Sequence, residues 1–385
     1  MENAKRDLYI RLPETNENFK QHEHIQSILM YGDPNKIKDP LISFVIPTYK
    51  RPDLLKEALA SVLHQEYMPN EDTDATPKEK EIREHVRYEV IVIDNSTDES
   101  NENETFQLIK DLAPDNLLYY VNEENLGQAG NWNRGFVLAR GKYVSLLHDD
   151  DLLAYNYLTQ ILKCLGTIET VKGELGVIRT RFLEFSNTMD LPPLRNKYKG
   201  GVRQFTLVNA LAIEGIGPTG CPTCGMLFNR QAVLNVGGFN ASCYPSHDYV
   251  LGYLLLKAGY TAFTTEDVLG YYRIGQNETM KPGVLEDFCK CDYYFRELMY
   301  SDNLITKLYG TIFRNVQYSL NLEGLKARAE KFHLAVSIRD LAFKKGYGLY
   351  PIRRRLYIKL RDNLVKKHEV VLRKPKKIEE ATNAQ

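Results

Sequence analysis

The stretch Tyr143–Asp151, with the sequence YVSLLHDDD, joins an apolar run to four polar residues, and it decides how the chain is expected to fold. An almost unbroken apolar run is typical of a strand that is buried on both faces of a parallel sheet. Three similar runs precede it along the chain. The four predicted strands are 42–46 (ISFVI), 88–93 (YEVIVI), 117–121 (LLYYV) and 143–147 (YVSLL).

Helical periodicity fills the connections between these runs, which indicates an α/β fold with a mostly parallel, twisted sheet flanked by helices. Pro52 is typical of a first helical turn, and two further helices are expected, one starting near 96–98 and one over 129–139. A polar stretch at 66–87 predicts a surface insertion, and a strand is expected near 175–185. The pattern divides the chain into 1–39, 40–152, 153–282 and a mainly helical C-terminal extension, 283–385.

The charge balance of the chain narrows the classes of function. The 385 residues include 50 Lys and Arg against 50 Asp and Glu, so the formal net charge is zero, which argues against a globally basic nucleic-acid binder. That zero is a cancellation, because 351–377 holds eleven basic and two acidic residues and leaves 39 basic and 48 acidic residues elsewhere. The sequence shows no signal peptide and no apolar stretch of about 18 to 20 residues, so we expect a cytoplasmic protein.

Polar residues follow three of the predicted strands at the point where each strand ends: 47–51 (PTYKR), 94–98 (DNSTD) and 148–151 (HDDD). In an open parallel sheet, ligands bind at the carboxyl ends of the strands. Three adjacent Asp residues repel one another unless a cation or solvent relieves them, so the run at 149–151 predicts a divalent metal site. A solvated helix cap is the alternative interpretation of the same run.

A nucleoside diphosphate is the ligand that this edge predicts. Magnesium or manganese is commonly held by one or two carboxylates while phosphate and water fill its other positions. Asp94 is placed to accept a hydrogen bond from a base imide nitrogen, although a helix cap explains it equally well. Asn125, Asn133 and Arg134 come after the third strand, where amides and a guanidinium can meet phosphate or sugar hydroxyls.

Four segments, taken in order, resemble the family 2 glycosyltransferases of the GT-A fold, and the likeness covers about residues 42–275. The resemblance implies an inverting, hexosyltransferase-type enzyme that moves a sugar from a nucleoside diphosphate donor, most often UDP, with a divalent Mn or Mg ion as cofactor. It also implies that 40–152 binds the donor and that 153–282 binds the acceptor. The segments are SFVIPTYKR (43–51), YEVIVIDNSTD (88–98), ENLGQAGNWNRGFVLARGKYVSLLHDDD (124–151) and CGMLFNRQAVLNVGGFNASCYPSHDYVLGYLLLKAGY (224–260).

The family's Asp-X-Asp metal motif aligns with His148, Asp149 and Asp150, which implies that Asp150 binds the metal and that Asp149 lies beside the donor sugar or ribose. His148 stands where the first Asp is usual, and an imidazole can also bind manganese, so His148 is predicted as a second metal ligand. The full set of predicted donor-binding residues, from the strand ends and the resemblance together, is Pro47, Thr48, Tyr49, Arg51, Asp94, Asn125, Asn133, Arg134 and Asp149.

Asp248 is the predicted general base, because Gly237-Gly238-Phe239 and the later His247-Asp248 resemble the family's Gly-Gly-Phe and Glu-Asp segments. The base would take the proton of the acceptor hydroxyl as its oxygen attacks the anomeric carbon and inverts it. A helix N-cap is the alternative role for Asp248. His247, in place of the usual Glu, and Gly225 are the predicted acceptor contacts.

The basic tail predicts an amphipathic helix, because Ile352, Leu356, Leu360 and Leu364 recur every four residues among Lys and Arg. Such a helix can lie on an anionic membrane, and a solvated basic face packed on the body is the alternative. The expected partners are therefore a nucleotide sugar, a saccharide or lipid-linked acceptor of bacterial surface polysaccharide synthesis, and the inner face of the cell membrane, without nucleic acid. A non-catalytic scaffold that binds nucleotide sugar or glycan stays open, as does a sugar nucleotidyltransferase, although its glycine-rich phosphate loop is missing from 47–52.

Overall fold

The computed structural model describes residues 17–367 with several gaps, which fall at 66–86, 101, 113, 170, 193–201, 206–222, 276–280, 302, 332 and 334–348. The predicted insertion at 66–87 and the last part of the basic tail lie almost entirely outside the described residues.

A ten-stranded sheet runs through the described part of the chain, and its strands are numbered in chain order. The strands are β1 Ser27–Tyr31, β2 Ile42–Thr48, β3 Tyr88–Asp94, β4 Leu117–Asn122, β5 Tyr143–Leu146, β6 Leu152–Leu153, β7 Leu175–Phe185, β8 Val202–Phe205, β9 Leu227–Asn229 and β10 Thr261–Arg273.

The four strands predicted first form the parallel centre of the sheet, in the order β4-β3-β2-β5. Residues 42–48 of β2 are wholly buried, as expected for a strand covered on both faces. In the pairing of β2 with β3, Thr48 lies opposite Asp94, so the ends of these two strands meet at one edge. The predicted GT-A-like α/β class is confirmed, with a sheet that is parallel at its centre and mixed outside it.

Five strands of the sheet were not predicted: β1, β6, β8, β9 and β10. Strand β9 lies between β5 and β7 and is antiparallel to both, while β10 is parallel to β7 and antiparallel to β6 and β8. Strand β1 pairs antiparallel with β4, so part of the segment 1–39 belongs to the central sheet.

The helices are also numbered in chain order. They are α1 Glu17–Lys20, α2 Pro52–Leu63, α3 Glu104–Leu112, α4 Gly127–Leu138, α5 Tyr157–Ile168, α6 Arg230–Asn235, α7 His247–Lys257, α8 Pro282–Met299, α9 Leu304–Lys331 and α10 Tyr350–Lys367. Pro52 occupies the first turn of α2 as predicted, and α4 agrees with the helix expected over 129–139. The C-terminal region is helical, also as predicted.

The helix predicted to start near 96–98 begins later, at Glu104, and that prediction was wrong by about two turns. Residues after β3 form turns in which Asp94 and Asp98 accept hydrogen bonds from the backbone of Ser96 and Ser100. The actual cap is Asn103, whose Oδ1 accepts from the backbone nitrogen of Thr105 at 2.9 Å. The polar side chains of this loop thus accept hydrogen bonds from the loop's own backbone before α3 starts.

Two apolar clusters cover the two faces of the sheet, one built around Phe44 and Ile46 and the other around Val45 and Ile93. A third cluster joins α7 to α8, with Tyr253 and Phe295 in edge-to-face contact. These clusters hold the carboxyl edge of the parallel strands rigid from both sides. Among the described helices, none has both the length and the apolar character needed to cross a bilayer.

Candidate active site

Two parallel strands and the segment after a third bring their polar residues together at the carboxyl edge of the sheet. The hydroxyl of Thr48, at the end of β2, donates to Asp149 Oδ2 at 2.8 Å. The backbone nitrogen of Asn95, just after β3, donates to the carbonyl of Thr48 at 3.0 Å. We call His148–Asp151, the segment that follows β5, the acidic edge. Its position confirms that the polar ends of these strands converge.

Arg51 holds two carboxylates of the acidic edge. Its guanidinium lies 2.5 Å from Asp149 Oδ1 and 3.2 Å from Asp150 Oδ2. Burial raises the pKa of Asp149 to about 7, although the nearby Arg51 opposes the rise. The Arg51 side chain is 40% exposed, so its positively charged guanidinium group contacts both the acidic edge and solvent.

Three side chains of the acidic edge, His148, Asp150 and Asp151, form the one group in the described residues whose arrangement suits a metal ion. Their ligand atoms all lie within 4.8 Å of one another. Asp151 Oδ2 is buried without a hydrogen-bond partner, while Oδ1 accepts from the backbone nitrogen of Arg273 at 2.9 Å. An unpartnered buried carboxylate oxygen is costly, and a bound cation would satisfy it. The residues present therefore fit a divalent metal.

The imidazole of His148 suits this role because one nitrogen is held and the other faces the carboxylates. Nε2 is 2.8 Å from the hydroxyl of Thr223, and Nδ1 lies 3.8 Å from Asp151 Oδ2. Burial lowers the pKa of His148, which favours the neutral ring that can coordinate a metal. Asp151 was not among the predicted ligands; the only signal for it in the sequence was its place as the third of three adjacent Asp residues.

Trp132 connects the acidic edge to α7 through a stack of rings. The His148 ring lies on one side with its centroid 4.6 Å away, and the His247 ring meets Trp132 edge-on at 4.7 Å. His247 is buried among Trp132 and Phe239, and burial, with His148 nearby, lowers the pKa of His247 to about 3. His247 is 3% exposed in this packing, and its contact with the acceptor stays a prediction.

Asp248 lies at the first turn of α7, next to His247, as predicted. Its Oδ1 accepts a hydrogen bond from the backbone nitrogen of Tyr249 at 2.9 Å. Burial raises the pKa of Asp248 to about 7, and Arg179 partly counteracts this. A carboxyl group that titrates near neutral pH, beside the stack that leads to the acidic edge, has the properties of a general base.

Asp94 is fully buried, and both of its oxygens already have partners. Oδ1 accepts from the backbone nitrogen of Ser96, and Oδ2 accepts from the hydroxyl of Tyr119, each at 2.8 Å. Burial, followed by the Asp94 charge, raises the pKa of Tyr119. The Asp94 carboxylate is therefore fixed at the end of β3. A nucleobase could donate a hydrogen bond only to the lone pairs that Ser96 and Tyr119 leave free.

Strand β2 ends at this edge with Pro47 and Thr48. The next residue, Tyr49, has an exposed side chain. Asn125 is also exposed, but its Oδ1 accepts from the backbone nitrogen of Gly127 and from the side-chain amide of Asn95. Asn125 thus stabilises the start of α4. Of these four predicted donor contacts, Tyr49 and Asn125 are exposed.

Arg134 and Asn133 already make hydrogen bonds with backbone groups of neighbouring segments. The Arg134 guanidinium donates to the carbonyls of His22 and Ile25, each at 2.7 Å. The Asn133 amide exchanges two hydrogen bonds with the backbone of Phe239. Both side chains therefore hold neighbouring segments against α4, and their contact with the donor stays a prediction.

Gly225 also has a packing role. Its φ is +73°, and a Cβ there would lie 2.7 Å from the Thr180 hydroxyl, which donates to the Gly225 carbonyl. Thr223, two residues earlier, is the position in this segment that touches the acidic edge. The prediction that Gly225 contacts the acceptor finds no support in this geometry.

The fold and the acidic edge define an α/β protein of GT-A type. Residues 43–232 match the family model described as "Glycosyl transferase family 2". Residues 43–232, about half of the chain, therefore form a domain of this family.

Several curated proteins are similar to the chain over part of its length. A dolichyl-phosphate beta-glucosyltransferase of Dictyostelium discoideum is 24% identical over 225 residues, which are 56% of this chain and 62% of that protein. A GalNAc(5)-diNAcBac-PP-undecaprenol beta-1,3-glucosyltransferase of Campylobacter jejuni is 28% identical over 125 residues, 32% of this chain and 34% of that protein. The chain spans less than two thirds of the length of either relative.

Solved structures with a similar outline include the complex of S. aureus TarS 1-349 with UDP-GlcNAc, at a TM-score of 0.46 and 18% identity over 85% of this chain and 90% of that one. The mannosyltransferase PcManGT of Pyrobaculum calidifontis, in complex with GDP-Man and Mn²⁺, has a TM-score of 0.44 and 16% identity over 90% of this chain and 92% of that one.

Proposed function

We propose that the protein is an inverting, metal-dependent glycosyltransferase that moves a hexose from a nucleoside diphosphate donor, UDP-linked in our proposal, to a saccharide or lipid-linked saccharide. The observation that carries the proposal is the unpartnered, buried oxygen of Asp151 within a cluster of metal-ligand type, in a chain with a domain of the glycosyltransferase family 2. The acidic edge and Asp248 then divide the work between donor and acceptor.

The metal would be held by His148, Asp150 and Asp151. Manganese or magnesium bound there would neutralise the diphosphate and favour its departure from the sugar. Arg51, already on Asp149 and Asp150, is close enough to the acidic edge to contribute a second positive charge toward the diphosphate. Thr223 would keep His148 oriented by its hydrogen bond to Nε2.

The rest of the donor site is proposed from the ends of β2 and β3. Pro47, Thr48 and Tyr49 would border the nucleoside, with the exposed Tyr49 ring beside the base. Asp94 would accept from the base imide through a lone pair that its present partners leave free. Asp149 would stay oriented by Thr48 and Arg51 and would lie near the ribose or donor sugar.

Asp248 would act as the general base. In its ionised form it takes the proton of the acceptor hydroxyl while that oxygen forms a bond to the anomeric carbon and the bond from this carbon to the diphosphate breaks. A pKa near 7 supports this role, because a base is most effective when its pKa is close to the working pH. Attack from the face opposite the diphosphate inverts the anomeric centre.

A lipid-linked acceptor is favoured by the two curated relatives, since the name of one includes dolichyl phosphate and that of the other includes PP-undecaprenol. The proposal therefore includes synthesis of a surface polysaccharide by a cytoplasmic protein that works at the inner face of the cell membrane.

The test is a panel of nucleoside diphosphate sugars, first by thermal shift with and without Mn²⁺ and then by release of the nucleoside diphosphate. We expect one donor to raise the melting temperature only when Mn²⁺ is present, because bound ligand stabilises the folded state by mass action. Metal-dependent diphosphate release that is lost in Asp248→Asn supports the enzyme. Binding without release would instead identify a non-catalytic sugar-nucleotide-binding protein, and release of pyrophosphate from a nucleoside triphosphate would identify a nucleotidyltransferase.

A further inference from the structure

The first turns of α9 expose a row of large apolar side chains. Leu304, Ile305, Leu308 and Ile312 recur at helical spacing, and Ile305 and Leu308 are 81% and 63% exposed. Single exposed leucines are ordinary on protein surfaces, but a row on one helix face is not. The row was not predicted from the sequence.

Helix α10 exposes a second row, formed by Ile352, Leu356 and Leu360, with Leu349 just before the helix. Leu356 is 54% exposed. The side of α10 that packs on α9 is marked instead by Tyr357, which is buried and lies against Phe313 with ring centroids 5.8 Å apart. Three of the four apolar residues predicted to form the face of an amphipathic helix, Ile352, Leu356 and Leu360, are thus exposed, and the side chain of Leu364 lies outside the described part of the chain.

The two rows lie on one side of the helix pair. The contacts Tyr357 to Phe313 and Arg354 to Glu323 show that α10 runs antiparallel to α9. At about 100° per residue, the row on α9 lies about a third of a turn from Phe313 and the row on α10 about a quarter of a turn from Tyr357, and the antiparallel arrangement turns both rows toward the same side. Together they form what we call the apolar stripe: Leu304, Ile305, Leu308, Ile312, Leu349, Ile352, Leu356 and Leu360.

Basic side chains border the apolar stripe on α10. Arg353 lies on one side of its row, and Arg355 and Lys359 lie on the other. Helix α10 contains seven Lys and Arg and one acidic residue, Asp362, whereas the chain outside 351–377 is acidic. A second copy of the chain would have to bring these like charges together, while a surface of anionic lipid headgroups complements them.

We propose that the apolar stripe and its basic border form a docking surface for an anionic lipid bilayer, with α9 and α10 lying flat on the headgroups. The leucines and isoleucines enter the boundary between headgroups and acyl chains, and Arg353, Arg355 and Lys359 pair with lipid phosphates. The described helices cannot span the bilayer, so the attachment is peripheral. This inference is independent of the proposed activity, because it involves none of the residues of the acidic edge.

The test is flotation of the full chain with vesicles of phosphatidylcholine alone and with added phosphatidylglycerol, without any substrate. We expect binding to anionic vesicles only, with a decrease at high salt. The triple variant Arg353→Gln, Arg355→Gln, Lys359→Gln should lower the partition coefficient about 100-fold, since each basic residue near the surface accounts for roughly a fivefold change. Ile305→Glu with Leu308→Glu should abolish flotation, because it places charge in the apolar stripe.

Matched controls alter exposed positions elsewhere: Val137→Glu on α4, and the triple variant Lys38→Gln, Lys56→Gln, Lys172→Gln. These should float like the parent chain. Failure of the parent chain to bind anionic vesicles would overturn the proposal, as would equal losses in the controls. A stable dimer in solution that Leu308→Glu dissociates, with no flotation, would overturn it as well by making the stripe a contact between copies.

Discussion

At the acidic edge, three carboxylates are buried and Asp151 Oδ2 has no hydrogen-bond partner, whereas on α9 and α10 large apolar side chains face solvent with no described residue covering them. The first region places charge where burial makes it costly, and the second places apolar surface where exposure makes it costly. Each cost points to a ligand that would relieve it: a cation for the buried carboxylates, and a bilayer for the exposed apolar side chains.

The largest effect is expected at Asp248. Asp248→Asn removes the proposed base, so kcat should fall by roughly 10² to 10⁴-fold while the Kd of the nucleoside diphosphate is unchanged. Steady-state kinetics and calorimetry measure the two quantities. The matched control, Asp111→Asn on the exposed face of α3, should behave like the parent chain. Wild-type kcat in Asp248→Asn would remove this residue from the mechanism.

A second large effect is expected at Asp151. Asp151→Asn removes a charged oxygen from the proposed metal ligands. Loss of an outer-shell partner typically lowers metal affinity by roughly 10- to 100-fold, so the affinity for Mn²⁺ should fall by at least that much. Electron paramagnetic resonance of free Mn²⁺ gives the affinity without any substrate. Asp115→Asn, on the exposed surface, serves as the control. Unchanged affinity in Asp151→Asn would mean that the cluster does not hold the ion.

The pH dependence of kcat should report Asp248 directly. The base works only when ionised, and its pKa is about 7, so kcat should fall about tenfold per unit as the pH drops below 7 and level off above it. Asp149 titrates in the same range, so the residual activity of Asp248→Asn is the informative comparison. If kcat of that variant does not depend on pH, the fall below pH 7 in the parent chain is due to Asp248. If the variant shows the same fall, another group is responsible.

The smallest expected effect is on the free energy of unfolding, which should respond differently to substitutions near the ring stack and on the apolar stripe. Asn133→Ala near the stack leaves the backbone nitrogen and carbonyl of Phe239 buried without partners and should cost about 2 to 4 kcal/mol of unfolding free energy. Leu308→Glu, on the apolar stripe, should change it by no more than about 0.5 kcal/mol. Urea unfolding measures both. A large loss in Leu308→Glu would show that the stripe is part of the core.

The central fold could be predicted because β2, β3, β4 and β5 are buried on both faces and read as continuous apolar runs. The unpredicted strands lack that signal: β9 has three residues, and β10 contains polar and charged residues and a glycine within TAFTTEDVLGYYR. Strand pairing supplied by neighbours, and not local pattern, makes these segments extended.

The site could be predicted only to the level of which segments meet. Three adjacent Asp residues look alike in sequence. In the structure, Asp149 is paired with Arg51, whereas Asp151 belongs to the group of side chains that suits a metal ion. Arg134 and His247 occupy positions that match the family pattern, and the structure uses one for backbone carbonyls and encloses the other. Spacing along the chain does not reveal which partner a polar side chain finds.

The most direct test of the account is the affinity for UDP, measured by calorimetry with Mn²⁺ and with a chelator in the parent chain and in Asp151→Asn. If the acidic edge holds a cation that bridges to the diphosphate, Mn²⁺ should tighten UDP binding by roughly 5- to 150-fold in the parent chain. The same ion should have little effect in Asp151→Asn. Equal UDP affinity with and without Mn²⁺ in the parent chain would contradict the account.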